Sequence, residues 1–173
     1  MRICSTIGTQ SPSEWWAHTM TFDALIGNTD RHPQNWGFLV KRIQPEEIDL
    51  ELAPVFDNGT SFGYEYSDAQ IKDEWLPARM TSYLNKGTHH CSWEQDARTG
   101  GRHIELCKSL AQSSADAGTA ARSMIRLATS NIDEIVNWCA QFEAPVRFND
   151  DRANFVCQQL RARQDALANA IGV

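Results

Sequence analysis

A helix start, a helix stop and a hairpin are written one after another between Ser11 and Gly59, and their order leaves little freedom in how this part can fold. Ser11-Pro12-Ser13-Glu14 opens a helix: Ser11 offers a capping hydroxyl, Pro12 suits the first helical position, and Glu14 sits where a capping box wants an acid. Trp15, Thr19, Phe22 and Ile26 follow at helical spacing with Leu25 beside them, and Gly27-Asn28 ends the helix. Trp36 to Val40 reads as a short strand, Pro45-Glu46-Glu47 as a polar turn, and Leu50, Leu52 and Pro54-Val55-Phe56 as the returning strand. Such a hairpin brings Asp57 back beside Asn35, so a rigid helix, a polar loop and the far end of a hairpin meet at one place.

What meets there is a set of oxygen-bearing side chains. Asp30 is followed five residues later by Asn35, and a second acid, Asp57, stands just before Asn58-Gly59. Phosphoryl transfer calls for such a set: one carboxylate beside the attacking hydroxyl, and two oxygen ligands for magnesium on the nucleotide phosphates. General-base help of the kind Asp30 would give is typically worth about 10²–10⁴-fold. The simpler reading of Asn58-Gly59 and Gly27-Asn28 is a pair of turns, but turns alone do not call for three oxygen ligands at these intervals.

The string Phe22-Asp23-Ala24-Leu25-Ile26-Gly27-Asn28-Thr29-Asp30-Arg31-His32, with Asn35, then Leu52-Ala53-Pro54 and Phe56-Asp57, resembles the HipA-like bacterial serine/threonine kinases, the toxin kinases of toxin–antitoxin systems. Asp-Arg-His-x-x-Asn is also similar to the atypical kinases, the phosphatidylinositol kinases among them. The resemblance covers roughly residues 15–63 and implies the helical C-terminal lobe of a protein-kinase-like fold, mainly α, with one small β-hairpin carrying the catalytic and metal-binding loops. It implies Asp30 as catalytic base, His32 as a loop-supporting motif residue, and Asn35 and Asp57 as ligands of magnesium and ATP. It further implies an antitoxin-like or lobe-supplying protein partner and a protein substrate of the translation machinery. A lipid-kinase reading fits the flanking residues less well, and no basic segment suits anionic lipid.

The phosphate-gripping half of a kinase needs a glycine-rich loop and a strand lysine upstream of the catalytic loop. The four lysines stand at 41, 72, 86 and 108, and only Gly8 and Gly27 precede Asp30 among the glycines. The chain by itself therefore predicts an incomplete kinase: a truncated lobe, half of a split enzyme, or a pseudokinase kept as a protein-binding module. The corresponding organisation is a loose lead-in at 1–10 and a kinase lobe over 11–173, with a catalytic loop at 27–35, a metal-binding loop at 56–59, an activation-type segment at 60–80 and a helical remainder at 103–172.

That remainder predicts helices over Ile104–Ser113 and Ala115–Thr129. A third, marked by Ile132, Ile135, Val136, Cys139 and Phe142, would start at an Asn131/Glu134 capping box. A last helix would open at Asp150-Asp151, with Ala153, Val156, Cys157, Leu160, Leu167 and Ile171 as its buried stripe and Arg161-x-Arg163 on a solvated face. The segment from Thr60 to about Trp75 reads as irregular, Leu76–Leu84 as a short helix or helical turn, and Lys86–Arg102 as loop.

His103 and Cys107 lie one helical turn apart near His89, His90 and Cys91, a usable zinc spacing, yet no Cys-x-x-Cys pair supports it. That region reads instead as a substrate-side or solvated loop. The tryptophans read as core or groove aromatics, with Trp75 and Trp93 placed to dock a substrate or partner.

A net charge of −6 argues against sequence-independent nucleic-acid binding. No run is long and apolar enough for a membrane span or a secretory signal. Five scattered cysteines, an odd count, predict reduced thiols and a cytoplasmic setting.

Overall fold

The computed structural model describes Cys4 and residues 11–44, 47–74, 77–94 and 96–173. Most of the expected lead-in, the turn at Pro45-Glu46, and Trp75-Leu76 lie outside the described residues. Six helices and one hairpin are placed among those described: α1 (Pro12–Ile26), β1 (Phe38–Gln44), β2 (Glu47–Leu52), α2 (Asp68–Glu74), α3 (Pro77–Lys86), α4 (His103–Ser113), α5 (Ala115–Ala140) and α6 (Asp150–Ile171). This is the expected mainly helical lobe with one small antiparallel hairpin.

Helix α1 is the axle. Its Trp16, Met20, Ala24 and Leu25 pack with Leu106, Cys107 and Leu110 of α4, Ile125 of α5 and Leu167 of α6. Three alanines, Ala17, Ala117 and Ala120, let α1 and α5 approach closely. Because neighbours surround α1, its buried surface is far wider than the stripe through Trp15, Thr19, Phe22 and Ile26. Trp16, Ala17, Met20 and Ala24 are buried, whereas Trp15 and Phe22 are only half-buried. Pro12 occupies the first turn and Gly27 closes the helix in the left-handed region at φ 72°. Ser11 does not cap with its side chain: its own backbone is left-handed at φ 46°, and its carbonyl accepts from the Trp15 amide instead.

The hairpin pairs Phe38 with Leu52 and Val40 with Leu50. The second strand ends at Leu52, so Pro54 to Phe56 continue beyond it as irregular chain. The pairing still returns the chain to the loop: the Ala53 amide donates to the Gly37 carbonyl.

Two helical predictions change. Ala115 to Ala140 is a single helix of 26 residues, not two. Asn131 does not start a new one, because Ile132 and Val136 continue the same buried face and pack on Ala153 and Val156 of α6. Ser114 caps it by accepting from the Ala117 amide, and Asn149 caps α6 by accepting from the Arg152 amide, with Asp150 and Asp151 suiting the helix dipole.

The segment after Thr60 is also more regular than expected. It turns through residues 62–66 and then forms α2, tied down by Arg152, which bonds Asp68 and the Tyr66 carbonyl. That bond from Arg152 holds the Asp68 carboxyl below its ordinary range.

The buried face of α6 needs the largest correction. Ala153, Val156 and Leu167 are buried as expected, but so are Phe155, Gln159, Arg163 and Gln164. Arg161 is exposed and pairs with Asp133, while Arg163 is 2% exposed, so the two arginines do not share a solvated face.

Candidate active site

Helix α1 ends by burying an acid. Asp23 is inaccessible to solvent, one turn before Gly27, and needs a partner there. Arg31 supplies it: Nε donates to Oδ2 at 2.9 Å and Nη2 to Oδ1 at 2.7 Å, a two-point contact between fully buried side chains. Asn28 completes the pair, its Nδ2 donating to Asp23 Oδ1 at 2.9 Å. The oxygen of the same amide accepts from the Asp30 amide at 3.0 Å and from Thr60 Oγ at 2.7 Å. The loop is therefore pinned to α1 on one side and to the chain beyond the hairpin on the other.

The remaining donors of Arg31 close the site. Nη1 donates to the Asn35 carbonyl at 2.8 Å and to the Phe56 carbonyl, and Nη2 reaches Asn58 Oδ1. One guanidinium thus holds the residue before Asp57 and the residue after it against the carbonyl of Asn35. Only the planar five-donor fork of arginine can do this, and a lysine could not. Asn35 is buried, and its Nδ2 donates to the Asp30 carbonyl at 2.8 Å, which leaves its amide oxygen free to accept.

Unlike the buried Asp23, Asn28, Arg31 and Asn35, Asp30 and Asp57 face water. Asp57 is exposed and sits in the left-handed region at φ 55°, a conformation that costs a non-glycine residue and that clusters at functional sites. The Asp30 side chain is 40% exposed. Its Oδ1 lies 3.9 Å from His32 Nε2 and 3.4 Å from His90 Nε2, and the two imidazoles meet edge to face at 5.9 Å. His32 is half-buried, and its Nδ1 accepts from the Gln34 amide at 3.2 Å. The structure therefore brings Asp30, His32, Asn35 and the Asp57 segment together around Arg31.

Beneath the loop lies a second buried layer. The Arg163 guanidinium packs under Gly27, bonds the Ala24 carbonyl at 3.3 Å and lies 5.2 Å from the centre of the Tyr83 ring. A Cβ at residue 27 would come within 2.8 Å of it, so glycine is favoured there twice over, by backbone angle and by space. His103 Nδ1 is 3.4 Å from Arg163, and the His89 ring stacks on His103 at 4.3 Å.

Burial, reinforced for His89 by His103 and the nearby arginines, pushes the His89 imidazole well below its ordinary value. Burial and the charge of Arg163 push His103 down to about 3. Burial likewise pushes the Tyr83 phenol up to about 12. Both imidazoles are neutral in the folded protein at pH 7.

The histidines and cysteines at 89–107 do not form a metal centre: no group of three or more His, Cys, Asp or Glu among the described residues is placed to hold an ion. The thiols turn into the core instead. Cys91 Sγ meets Met20 Sδ, and Cys107 Sγ donates to the Met20 carbonyl. Burial raises the two to about 11 and about 12, which keeps them as thiols.

Asp23 and Arg163 carry the loop, and neither stood out as functional in the sequence. Each had a signal. Asp23 is an acid in the middle of an otherwise apolar helix end. Arg163 falls at helical spacing between Val156, Leu160 and Leu167, on the buried face.

No protein-family profile matches the chain, and no curated protein matches it. Among solved structures it is similar to the Helicobacter pylori proinflammatory kinase CtkA, with a TM-score of 0.59 and 19% sequence identity; the likeness covers 93% of this chain and 54% of that one. The chain thus spans about half the length of that kinase. At this identity the likeness speaks to architecture alone: the chain has a kinase-like fold, consistent with a C-terminal lobe.

Proposed function

We propose that the chain is the catalytic C-terminal lobe of a HipA-like serine/threonine protein kinase. In this reading Asp30 orients the acceptor hydroxyl and takes its proton, His32 supports the loop beside it, and Asn35 and Asp57 hold Mg-ATP. The observation that carries the proposal is the double grip of Arg31 on the Asn35 and Phe56 carbonyls, which draws the chain beside exposed Asp57 against Asn35.

The donor set fits magnesium, which takes one or two side-chain oxygens and leaves its other positions to phosphate and water. When bound, magnesium supplies charge neutralisation between the phosphates. What the chain itself contributes is placement. Buried Asp23, Asn28 and Arg31 lock the loop, so little ordering remains to be done when substrate arrives.

No lysine precedes Asp30 in this sequence, so transfer requires a phosphate-gripping lobe supplied by a partner or by further chain. The acceptor would be a protein hydroxyl. A target in the translation machinery and an antitoxin-like partner follow from the HipA-like resemblance, and the scattered cysteines suit a cytoplasmic setting. Phosphoryl transfer from radiolabelled ATP, measured with and without the candidate partner, tests the reading. Asp30→Ala and Asp57→Ala should each lower the rate by about 10²-fold or more without unfolding the chain. Variants that transfer like wild type refute the assignment.

A second reading, a pseudokinase that acts by holding a protein partner, is favoured by a different feature. A groove of about 830 Å³ runs between α1, α5 and α6, walled by apolar side chains including Leu25, Phe62, Ile135, Val136 and Phe148. Tight partner binding with no transfer in any pairing would select it.

A further inference from the structure

Residues 88–94 and 96–101 belong to a loop whose base is closed like a clasp. The His89 amide donates to the Gly101 carbonyl, the Gly101 amide donates to the Cys91 carbonyl, and Thr88 pairs with Arg102. His89 is buried against His103, and Cys91 turns onto Met20. Between these two inward-facing residues, His90 faces outward. Its ring reaches across to the catalytic loop and places Nε2 3.4 Å from Asp30 Oδ1. Sixty residues of sequence separate the two, and only the fold brings them together.

Beside this contact lies a cleft of about 600 Å³, within the range of ordinary binding pockets. Thr29 forms one wall, and Thr88, Ser92, Arg98 and Thr99 are among the residues of the other. Asp30, Asn35 and Asp57 stand outside its lining, so it is separate from the proposed nucleotide side, and Thr29 and His90 are what bring it up to Asp30. Its hydroxyls suit the main-chain groups of a peptide. Glu94 offsets Arg98, so it lacks the positive excess that a phosphate would demand.

We propose, building on the kinase reading above, that this cleft receives the hydroxyl-bearing segment of the acceptor polypeptide and that His90 is the positioning residue for Asp30. With its Nε2 3.4 Å from Oδ1, His90 would close on that oxygen when the acceptor binds and hold the carboxylate, leaving Oδ2 for the incoming hydroxyl. The acceptor proton passes to Asp30 and the acceptor oxygen bonds to the γ-phosphorus of the nucleoside triphosphate. The bond from that phosphorus to the bridging oxygen breaks, and its electron pair leaves with the nucleoside diphosphate.

The test compares wild type, His90→Ala, His90→Gln and Asp30→Ala, each as the chain with and without its partner lobe, using radiolabelled ATP and a degenerate Ser/Thr peptide pool. His90→Ala should lower kcat/KM for peptide roughly 10- to 100-fold with KM for ATP unchanged. His90→Gln, whose amide nitrogen reaches the same oxygen, should restore most of the loss. Independently of activity, Asp30→Asn should shift the His90 ring resonances in NMR spectra, and the peptide pool should shift the Thr29 and Thr99 amides in a manner His90→Ala weakens.

If Asp30→Ala abolishes transfer while His90→Ala leaves peptide kcat/KM untouched, this inference is wrong and the kinase reading stands. If Asp30→Ala transfers like wild type, the kinase reading itself fails. If no form transfers phosphate, the peptide titration decides: saturable shifts at Thr29 and Thr99 support the cleft, and their absence overturns it.

Discussion

The guanidinium of Arg31 meets the carboxylate of Asp23 through two hydrogen bonds, 2.9 Å from Nε and 2.7 Å from Nη2, with no solvent access to either side chain. The pair joins the end of α1 to the loop that follows it, and the other donors of the same arginine join both to the chain after the hairpin. Removing one member leaves a buried charge without compensation, which costs about 3–5 kcal/mol. Asp23→Ala should therefore lower stability by roughly that amount in urea titrations. Arg31→Lys should also destabilise, because an ammonium cannot reach the Asn35 and Phe56 carbonyls while facing Asp23 in two places. A wild-type unfolding midpoint for both variants would show that the pair contributes nothing.

Gly27 and Gly172 form a matched comparison. Both end helices in the left-handed region, at φ 72° and φ 80°. A methyl group at residue 172 meets open space, whereas one at residue 27 meets the Arg163 guanidinium at 2.8 Å. Gly172→Ala should cost about 1 kcal/mol from backbone angle alone, and Gly27→Ala about 1–3 kcal/mol more. Calorimetric melting of the two variants reads the difference, and equal losses would mean that Arg163 moves aside freely.

The buried histidines set a pH dependence. His103 has its folded value pushed from 6.5 to about 3, and His89 is pushed in the same direction. Between pH 6.5 and about 3 the unfolded chain binds a proton at residue 103 that the folded chain refuses. Stability from this source is complete above pH 6.5 and falls as the pH is lowered through that window, with a slope of about 1.4 kcal/mol per unit for each fully neutral histidine. His103→Asn should flatten the stability profile between pH 6.5 and 4 in urea titrations. A profile as steep as wild type would place the acid sensitivity in other groups.

On the kinase reading, ligand linkage separates the lobe from a complete enzyme. A ligand that binds only the folded state raises the melting temperature by mass action. Mg-ATP should shift the melting of this chain alone little or not at all, and should produce a clear shift once a phosphate-gripping partner is present, one that Asp57→Ala removes. A large shift for the isolated chain would show that the chain alone provides a sufficient nucleotide site.

The local signals in the sequence read well where chain-near physics decides. Pro12 and Gly27 bound α1 correctly, because a fixed φ and a free one act on their own residues regardless of context. The hairpin was legible from two apolar runs around a polar turn, and with it the return of the chain toward Asn35. The division of Ala115–Ala140 was not, because Asn131 offers a local cap that only packing against α6 overrules. The same limit hid Arg163: a charged residue in a helix reads as solvated until the surrounding helices remove the water.

By itself the sequence determined the helix–loop–hairpin order and singled out Asp30, His32, Asn35 and Asp57 as candidate site residues. These depend on turn chemistry and side-chain type, which travel with each residue. Only the tertiary structure decided that Arg31 and Asp23 bind the loops together, that Arg163 and the neutral histidines lie beneath them, and that His90 stands beside Asp30. Burial, and contacts such as that of Asp30 with His90 sixty positions on, are properties of the packed chain.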